Sequence, residues 1–424
     1  MIIEKLSLLN FKNIEEADLS FSFKMNCLLG DNGMGKTNLL DALYYLSFTK
    51  NYTNLPDSQL IKHGTDFASL HGFYKENEVT EEIQCGMKRG HKKSFKRNKK
   101  AYSLFSEHIG LIPVVMISPA DSELIQGGSD ERRKFVDMLI SQYDKDYLRA
   151  LMRYNKALAQ RNALLKNSPP QPPLKGGVES APQNGGGFSG KAFSPLEGGL
   201  GGAEVFEIWE EQMVETGNLI HAKRKAFIVD FLPVFEQYYR VISNDTEQIG
   251  LEYESQLTVG ATLAVALNNP NAPGNDTNAS IAGQTPNPLL FAELLRQRRQ
   301  RDLLLGYSTA GIHKDDFNFL LDNHLIRKIG SQGQNKTYLI ALKLAQFSFL
   351  VKHGSVLPIL LLDDLFDKLD AKRVEKIVEL VAQPQFGQIF ISDTNRKHLD
   401  EILEQMEYDY KLFQVTNGQI AEMP

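Results

Sequence analysis

Cysteine is nearly absent from this 424-residue chain. Cys27 and Cys85 are the two present, and their spacing fits neither a disulfide framework nor a metal-ligand pair, so plain thiols in a reducing compartment are expected. Long apolar runs are missing too. Stretches such as Ile359 to Leu362 fall far short of the roughly 20 residues that a bilayer-spanning helix needs, which argues against a helical membrane protein. An excess of positive charge is also lacking. Lys and Arg number 47 against 52 Asp and Glu, so no global field draws the chain onto nucleic acid and any such affinity has to be local. The opening "MIIEKLSLLNF" lacks the basic, apolar and small-residue succession of a signal peptide, and a soluble, cytoplasmic protein is expected.

What is present starts early. "IIEKLSLLNF" alternates and "FSFKMNCLLG" runs apolar, as strands do, whereas "TNLLDALYYLSF" places Leu39, Leu40, Leu43 and Leu46 at helical spacing. Between strand and helix lies Gly30-Asp31-Asn32-Gly33-Met34-Gly35-Lys36-Thr37, the full G-x-x-x-x-G-K-[ST] pattern of a phosphate loop. Its glycines let backbone N–H groups wrap phosphates, and the following helix adds its positive N-terminal dipole. Lys36 is expected to reach the β- and γ-phosphates of ATP, and Thr37 to offer its hydroxyl to Mg²⁺.

Such a loop needs an acidic strand, and "ILLLDD" supplies one far down the chain. Read alone it would be a strand end followed by an acidic loop. Together with the phosphate loop, Asp363 is expected to hold Mg²⁺, and Asp364 to orient or deprotonate the attacking water. Leu369-Asp370 fits the turn that follows this strand in ABC-type ATPases. Between the two motifs, "GSQGQNKTYLIALKLAQ" contains Ser331-Gln332-Gly333-Gln334, which resembles the S-x-G-Q heart of the ABC signature. A serine hydroxyl, the Gly333 amide and a helix N-terminus beginning near Gln334 suit a γ-phosphate held by another subunit.

The intervening chain is expected to be mostly β from 67 to 117. It then turns helical from Ser129 or Asp130, either of which caps alone, and helical again from Val205 to Tyr239 with an interruption near Pro233. Residues 168–202 and 268–288 are rich in Pro, Gly, Ser and Asn, and disorder is expected there.

The motif set resembles the RecF family of bacterial recombinational-repair ATPases, whose head is similar to those of SMC proteins. "LSLLNFKN", "LLGDNGMGKTNLLDALYYLS", "SPADSELIQGGSDERRKF", "YSTAGIHKDDF", "SQGQNKTYLIALKLAQ" and "LLLDDLFDKLD" follow in family order, with Ile312 and Lys314 departing from the family's Pro and Arg. The resemblance implies an α/β, ABC-type P-loop ATPase head with an inserted helical lid domain. The head would comprise residues 1–117 and 302–424, and the lid residues 118–301. It also implies an ATP-dependent homodimer that binds single- and double-stranded DNA at gaps, works with RecO and RecR to load RecA, and hydrolyses ATP slowly. Where transporters keep a histidine after the last core strand, this chain has Ser392-Asp393-Thr394. Ser392 or Thr394 is expected to touch the γ-phosphate, and His398 to be an ordinary surface residue. No glutamine stands clearly in the ABC Q-loop place.

Lys92, Lys93, Lys96, Arg97, Lys99 and Lys100 crowd one hairpin-like stretch with Phe95 and Tyr102 interleaved, a candidate contact for a phosphate backbone. Arg296, Arg298, Arg299 and Arg301 form a weaker candidate on a helix. Three rivals stand beside this reading: a transporter's nucleotide-binding subunit, an SMC-like structural head, and a nucleotide-binding module without hydrolysis. The distance between the two nucleotide motifs opposes the first, and the Pro/Gly-rich middle, which breaks any long heptad run, opposes the second.

Overall fold

The chain begins as a strand that doubles back on itself. β1 (Ile2–Phe11) pairs antiparallel with β2 (Ile14–Ser20), and the expected strand "FSFKMNCLLG" follows as β3 (Met25–Leu29). The computed structural model describes residues 1–167, 202–244, 247–258, 263–264, 288–365, 371–394, 396, 400, 403 and 409–423. After helix α1 (Lys36–Phe48), strands β4 (Phe67–Glu76), β5 (Val79–Lys88), β6 (Ser94–Arg97) and β7 (Lys100–Ala101) extend the first pair into an antiparallel sheet ordered β2-β1-β4-β5-β6-β7.

A second sheet contains β3 and joins the two ends of the sequence. β8 (Val114–Ile117), β13 (Ile359–Asp363), β14 (Ile389–Asp393) and β15 (Tyr410–Thr416) run parallel to β3, and β16 (Gln419–Glu422) closes the edge antiparallel, in the order β16-β15-β3-β14-β13-β8. The central strands β8, β13 and β14 are buried along their whole length because both faces are covered. Ile359, Leu361, Val114, Met116 and Phe390 pack toward α1 and the antiparallel sheet. Their neighbours Leu360, Leu362, Val115, Ile117, Ile389 and Ile391 pack into the larger helical core on the other side.

That helical core is built by α2 (Ser122–Gln126), α3 (Ser129–Tyr143), α4 (Lys145–Asn167), α5 (Gly202–Ser243), α6 (Pro288–Leu305), α7 (Ile326–Ile329), α8 (Gln332–His353) and α9 (Ala371–Ala382). A small sheet of β9 (Ile249–Glu254), β10 (Leu263–Ala264), β11 (Asp316–Leu321) and β12 (His324–Leu325) accompanies them. On α5, Phe227, Phe231, Phe235 and Tyr239 recur at four-residue spacing and form one stripe. The stripe seats α8: Phe227 and Phe231 flank Phe349 with ring centroids 5.3 and 5.6 Å away, and Phe235 stands edge-on to Tyr338 at 4.8 Å.

Several expectations need adjustment. α5 runs unbroken through Pro233. The proline is exposed, so the carbonyl of Val229 that loses its N–H partner can turn to water. The N-cap of α3 is Gly128, with no side-chain cap bond; Asp130 faces Arg133 instead of the helix amides. The boundary expected after residue 301 falls inside α6, and β9 before it pairs with β11 beyond it, so the two regions share a core. The segments expected to be disordered lie outside the described residues, apart from 263–264 nearby and the positions of Gly202 and Pro288, which begin α5 and α6. Leu369-Asp370 and His398 also lie outside them.

Candidate nucleotide site

The glycine loop turns sharply between β3 and α1, and two of its glycines have no room for a side chain. A Cβ on Gly30 would sit 2.3 Å from the Val415 carbonyl of the neighbouring strand β15. Gly35 holds φ +116, a left-handed conformation, and a Cβ there would meet the Asn13 amide at 2.8 Å. Asn13 is the loop's support from behind. Its Nδ2 donates to the Met34 carbonyl at 3.2 Å, while its Oδ1 accepts from Asn38 of α1 at 2.8 Å. The Gly418 N–H reaches the same carbonyl at 2.8 Å.

Lys36 curls back under the loop. Its buried Nζ donates to the carbonyls of Gly30 at 2.7 Å and Asp31 at 3.2 Å, and it stands 4.0 Å from Asp364 Oδ1. The ammonium is therefore held by main-chain oxygens of the loop, not by a strong competing ion pair.

Strand register brings the distant acidic motif to this loop. Asp363 on β13 is level with Ser392 on β14, which in turn is level with Leu28 on β3. The Thr37 hydroxyl donates to Asp363 Oδ1 at 2.9 Å, and the Ser392 hydroxyl donates to the same oxygen at 2.8 Å. Burial raises the Asp363 carboxyl above its ordinary range; hydrogen bonds from Ser392 and Thr37 oppose the shift, and the charge of Asp364 adds to it. Asp364 adopts φ +44, and its N–H donates to Ser392 Oγ at 3.1 Å. Ser392 is fully buried, bonds to both aspartates and is not among the residues that line the open space beside them. Of the two residues expected to touch the γ-phosphate, Thr394 is the one that faces the open space.

That space is a cavity of about 650 Å³. Asn32 of the loop, Asp363, Asp364 and Thr394 line one side; Ser118 and Gln126 line a second; Gln332, Asn335 and Lys336 of α8 line a third. Gln126 escaped the sequence reading because it follows β8 by a turn and a short helix, and nothing in its neighbours announces that it faces the site. Ser331, Gly333 and Gln334 stand apart from the residues that line this cavity. Ser331 is the N-cap of α8 in a reciprocal capping box: its Oγ accepts from the Gln334 N–H at 3.2 Å, and Gln334 Oε1 accepts from the Ser331 N–H at 2.7 Å. Gln334 Nε2 also donates to Glu247 at 2.6 Å.

The basic stretch divides into two kinds of residue. Lys93 turns inward, donating to Tyr45 at 3.0 Å and pairing with Asp57 at 3.2 Å. Arg97 is held against Glu81, its Nε 2.8 Å from the carboxylate. Lys92, Lys99 and Lys100 are exposed and Lys96 is half-buried. Phe95 is buried and Tyr102 bonds to His108 at 2.9 Å, so these aromatics serve the core and offer no stacking platform for bases. On α6, Arg299 pairs with Glu210 and Arg296 with Glu293 at 3.4 Å; Arg298 is half-buried and Arg301 exposed.

Residues 2–421 match the model of the RecF/RecN/SMC N terminal domain. The DNA replication and repair protein RecF of Azobacteroides pseudotrichonymphae is 59% identical over 423 residues, covering 100% of both chains, and that of Bacteroides thetaiotaomicron is 52% identical over 424, covering 100% of this chain and 99% of the other. The chain belongs to the RecF family. A solved structure of the recombination mediator protein RecF-ATP in the RecFOR pathway is 25% identical and superposes with a TM-score of 0.79, covering 100% of this chain and 98% of that one. The Smc head domain of Pyrococcus furiosus, 16% identical with a TM-score of 0.52, covering 100% of this chain and 96% of that one, shares the fold. The α/β ATPase head is thus the architecture of the family.

Two further RecF-family segments meet in the helical core. Arg132 of "SDERRKF" pairs with Asp316 of "GIHKDDF" at 2.8 Å, and Arg224 of α5 pairs with Asp315 and Asp137, both at 2.8 Å. Desolvation raises the Asp315 carboxyl to about 6, with Arg224 and Tyr253 opposing the shift. His313 bonds Tyr154 at 2.9 Å and the Ser308 carbonyl at 3.1 Å, and burial lowers it to about 4. These residues tie α3, α4 and α5 to the segment that enters β11.

Proposed function

We propose that the protein is an ATP-driven DNA clamp of recombinational repair. ATP is bound by Gly30, Asp31, Asn32, Gly33, Met34, Gly35, Lys36 and Thr37. The observation that carries this reading is the meeting of Thr37 and Asp363, 2.9 Å apart beneath the loop although far apart in sequence. A hydroxyl and a carboxylate are hard oxygen donors, and two protein oxygens plus substrate phosphates are the usual setting for Mg²⁺, so the residues fit the ion. Thr37 and Asp363 would hold it, and it would neutralise charge on the β- and γ-phosphates. Lys36 supplies a fixed ammonium to the same phosphates. Asp364, beside that ammonium and at the cavity wall, orients or deprotonates the attacking water. Its short side chain fits slow hydrolysis used as a switch.

Ser331, Gly333 and Gln334 lie at the N-terminus of α8, where Ser331 is exposed, which suits a second subunit's γ-phosphate. Two heads would enclose two ATP molecules, closing on binding and opening on hydrolysis. DNA at single-strand gaps, in single- and double-stranded form, is the ligand of the closed dimer, with the exposed Lys92, Lys99 and Lys100 and the half-buried Lys96 contributing to the contact. RecO and RecR are the partners, and loading of RecA in the cytoplasm is the outcome. Among the described residues no helix is long and apolar enough to cross a membrane.

The test is Ser331→Arg. Each monomer should still bind a fluorescent ATP analogue, because the phosphate loop is intact. ATP-dependent dimerisation, read by light scattering, should be lost, and ATP-stimulated retardation of gapped duplex with it. Wild-type protein that stays monomeric with ATP, or a variant that dimerises normally, would sink the composite site.

A further inference from the structure

A buried polar chain runs from the phosphate-loop side of the molecule to the middle of the signature helix. It starts at Lys12, whose ammonium pairs with Asp41 of α1 at 2.7 Å. Asp41 Oδ1 accepts from the main-chain N–H of Tyr52 at 2.8 Å, which fixes the loop that leaves α1. The Tyr52 hydroxyl donates to Asp121. Asp121 in turn forms an ion pair with Lys343 at 2.7 Å, and Lys343 Nζ also donates to the Tyr52 oxygen at 3.0 Å. Both charged side chains are buried, 4% and 2% exposed, and the ammonium lies over the rings of Tyr52 and Phe135.

Two members of this chain, Asp121 and Lys343, bear on the nucleotide site without lining its cavity. Asp121 Oδ2 accepts from the Ser118 N–H at 2.8 Å and closes the turn that presents Ser118 and Pro119 to the cavity. Lys343 lies on α8 twelve residues beyond Ser331, about 18 Å along the helix axis. A buried ion pair is a poor way to gain stability, because desolvation consumes most of the attraction. An apolar pair of similar volume would pack the same space. What the ion pair adds is direction: Lys343 has to meet one oxygen of one carboxylate, so α8 can neither slide nor rotate without stranding a buried charge. The aromatic stripe from α5 holds the opposite side of α8 with no comparable directional demand.

We propose that Asp121, Tyr52 and Lys343 are positioning residues that lock the signature helix to the phosphate-loop half of the same subunit, so that ATP bound by one set of elements sets the placement of the other. This rests on the composite-dimer reading given above. It assigns the three residues no contact with nucleotide. ATP affinity of the isolated subunit should therefore be nearly independent of them, and dimer closure should depend on them.

The first variant is Tyr52→Phe, which removes one hydroxyl and keeps the ring packed on Tyr44. The second is the pair Asp121→Asn with Lys343→Met, which removes the charges together and leaves no buried ion alone. For both, affinity of the monomer for a fluorescent ATP analogue should stay within about threefold of wild type. The ATP-dependent dimerisation constant should weaken by about tenfold or more for the double variant and several-fold for Tyr52→Phe. Thermal melts show whether each variant is folded, and Tyr52→Phe carries the decision if the double variant is not. Variants that bind ATP and dimerise as wild type does would overturn the positioning role and leave the composite site standing. Loss of ATP affinity in parallel with dimerisation would overturn it too, since it would show a merely structural part. Wild-type protein that never dimerises with ATP would bring down the dimer reading and this inference together.

Discussion

Asp363→Asn should make the nucleotide-free protein more stable and the nucleotide-bound protein less so. Asp363 Oδ1 accepts from Thr37 at 2.9 Å and Ser392 at 2.8 Å, and an asparagine oxygen can accept both bonds in the same place. The substitution removes a buried charge next to the like charge of Asp364, the two features that raise this carboxyl. Relief of that kind is worth on the order of 1 kcal/mol. For a cooperative unit of this length, 1 kcal/mol moves Tm by roughly 1–2 °C. Wild-type protein at a ligand concentration 100 times Kd gains about 2.7 kcal/mol from binding, or roughly 3–5 °C. Asparagine, a neutral ligand, should forfeit most of that gain in Mg-ATP while keeping any part that does not involve the ion. Differential scanning fluorimetry with no nucleotide, ATP plus chelator, and ATP plus magnesium separates the terms. The reasoning fails if the free variant melts below wild type by several degrees, or if its magnesium-dependent shift with ATP equals that of wild type.

Three further outcomes follow from the same geometry. Arg224→Met should cost about 3–5 kcal/mol in urea unfolding, because it strands Asp137 and Asp315; a cost below about 1 kcal/mol would show that the network is not energetically coupled. Burial lowers His108, His221 and His313 from 6.5 to about 4, so each stabilises the fold fully above pH 6.5 and loses that contribution as pH falls toward 4. Asp315, raised to about 6, acts with the opposite sign, its penalty growing as pH rises from about 4 to 6. From these four groups unfolding takes up a net of about two protons between pH 4 and 6, while the raised carboxyls of Asp363, Glu236 and Glu252 oppose it, so His221→Gln should reduce the slope of unfolding free energy against pH; an unchanged slope contradicts the histidine burial. Reversing charge at Lys92, Lys96, Lys99 and Lys100, while sparing the inward-facing Lys93, should flatten the log–log salt dependence of DNA binding by up to about 3.6. ATP-driven dimerisation should not change, and an unaltered salt slope would place the DNA contact elsewhere.

The local chemistry was legible in the sequence. Gly30 to Thr37 declares a phosphate loop because glycines, lysine and threonine at that spacing serve little else between a strand and a helix. "ILLLDD" declares a strand buried on both faces that ends in two carboxylates. The apolar run after "GSQGQNK" declares a helix, expected to begin near Gln334 and found to begin at Gln332, but that Ser331 and Gln334 cap it reciprocally came from the structure. Pairing across the chain was decided by the tertiary structure. Strand order β3-β14-β13 and its register bring Thr37 and Ser392 each within one hydrogen bond of Asp363, and no pattern in the intervening residues encodes that alignment. The basic cluster shows the same limit: sequence counts the charges, but only packing reveals that Lys93 and Arg97 are spent on Asp57 and Glu81 while their neighbours face water. Pro233 reads as a helix break until its exposure allows water to replace the missing donor. Period and composition report what each residue prefers locally, whereas the partner that satisfies a buried donor or charge is chosen by how the whole chain packs.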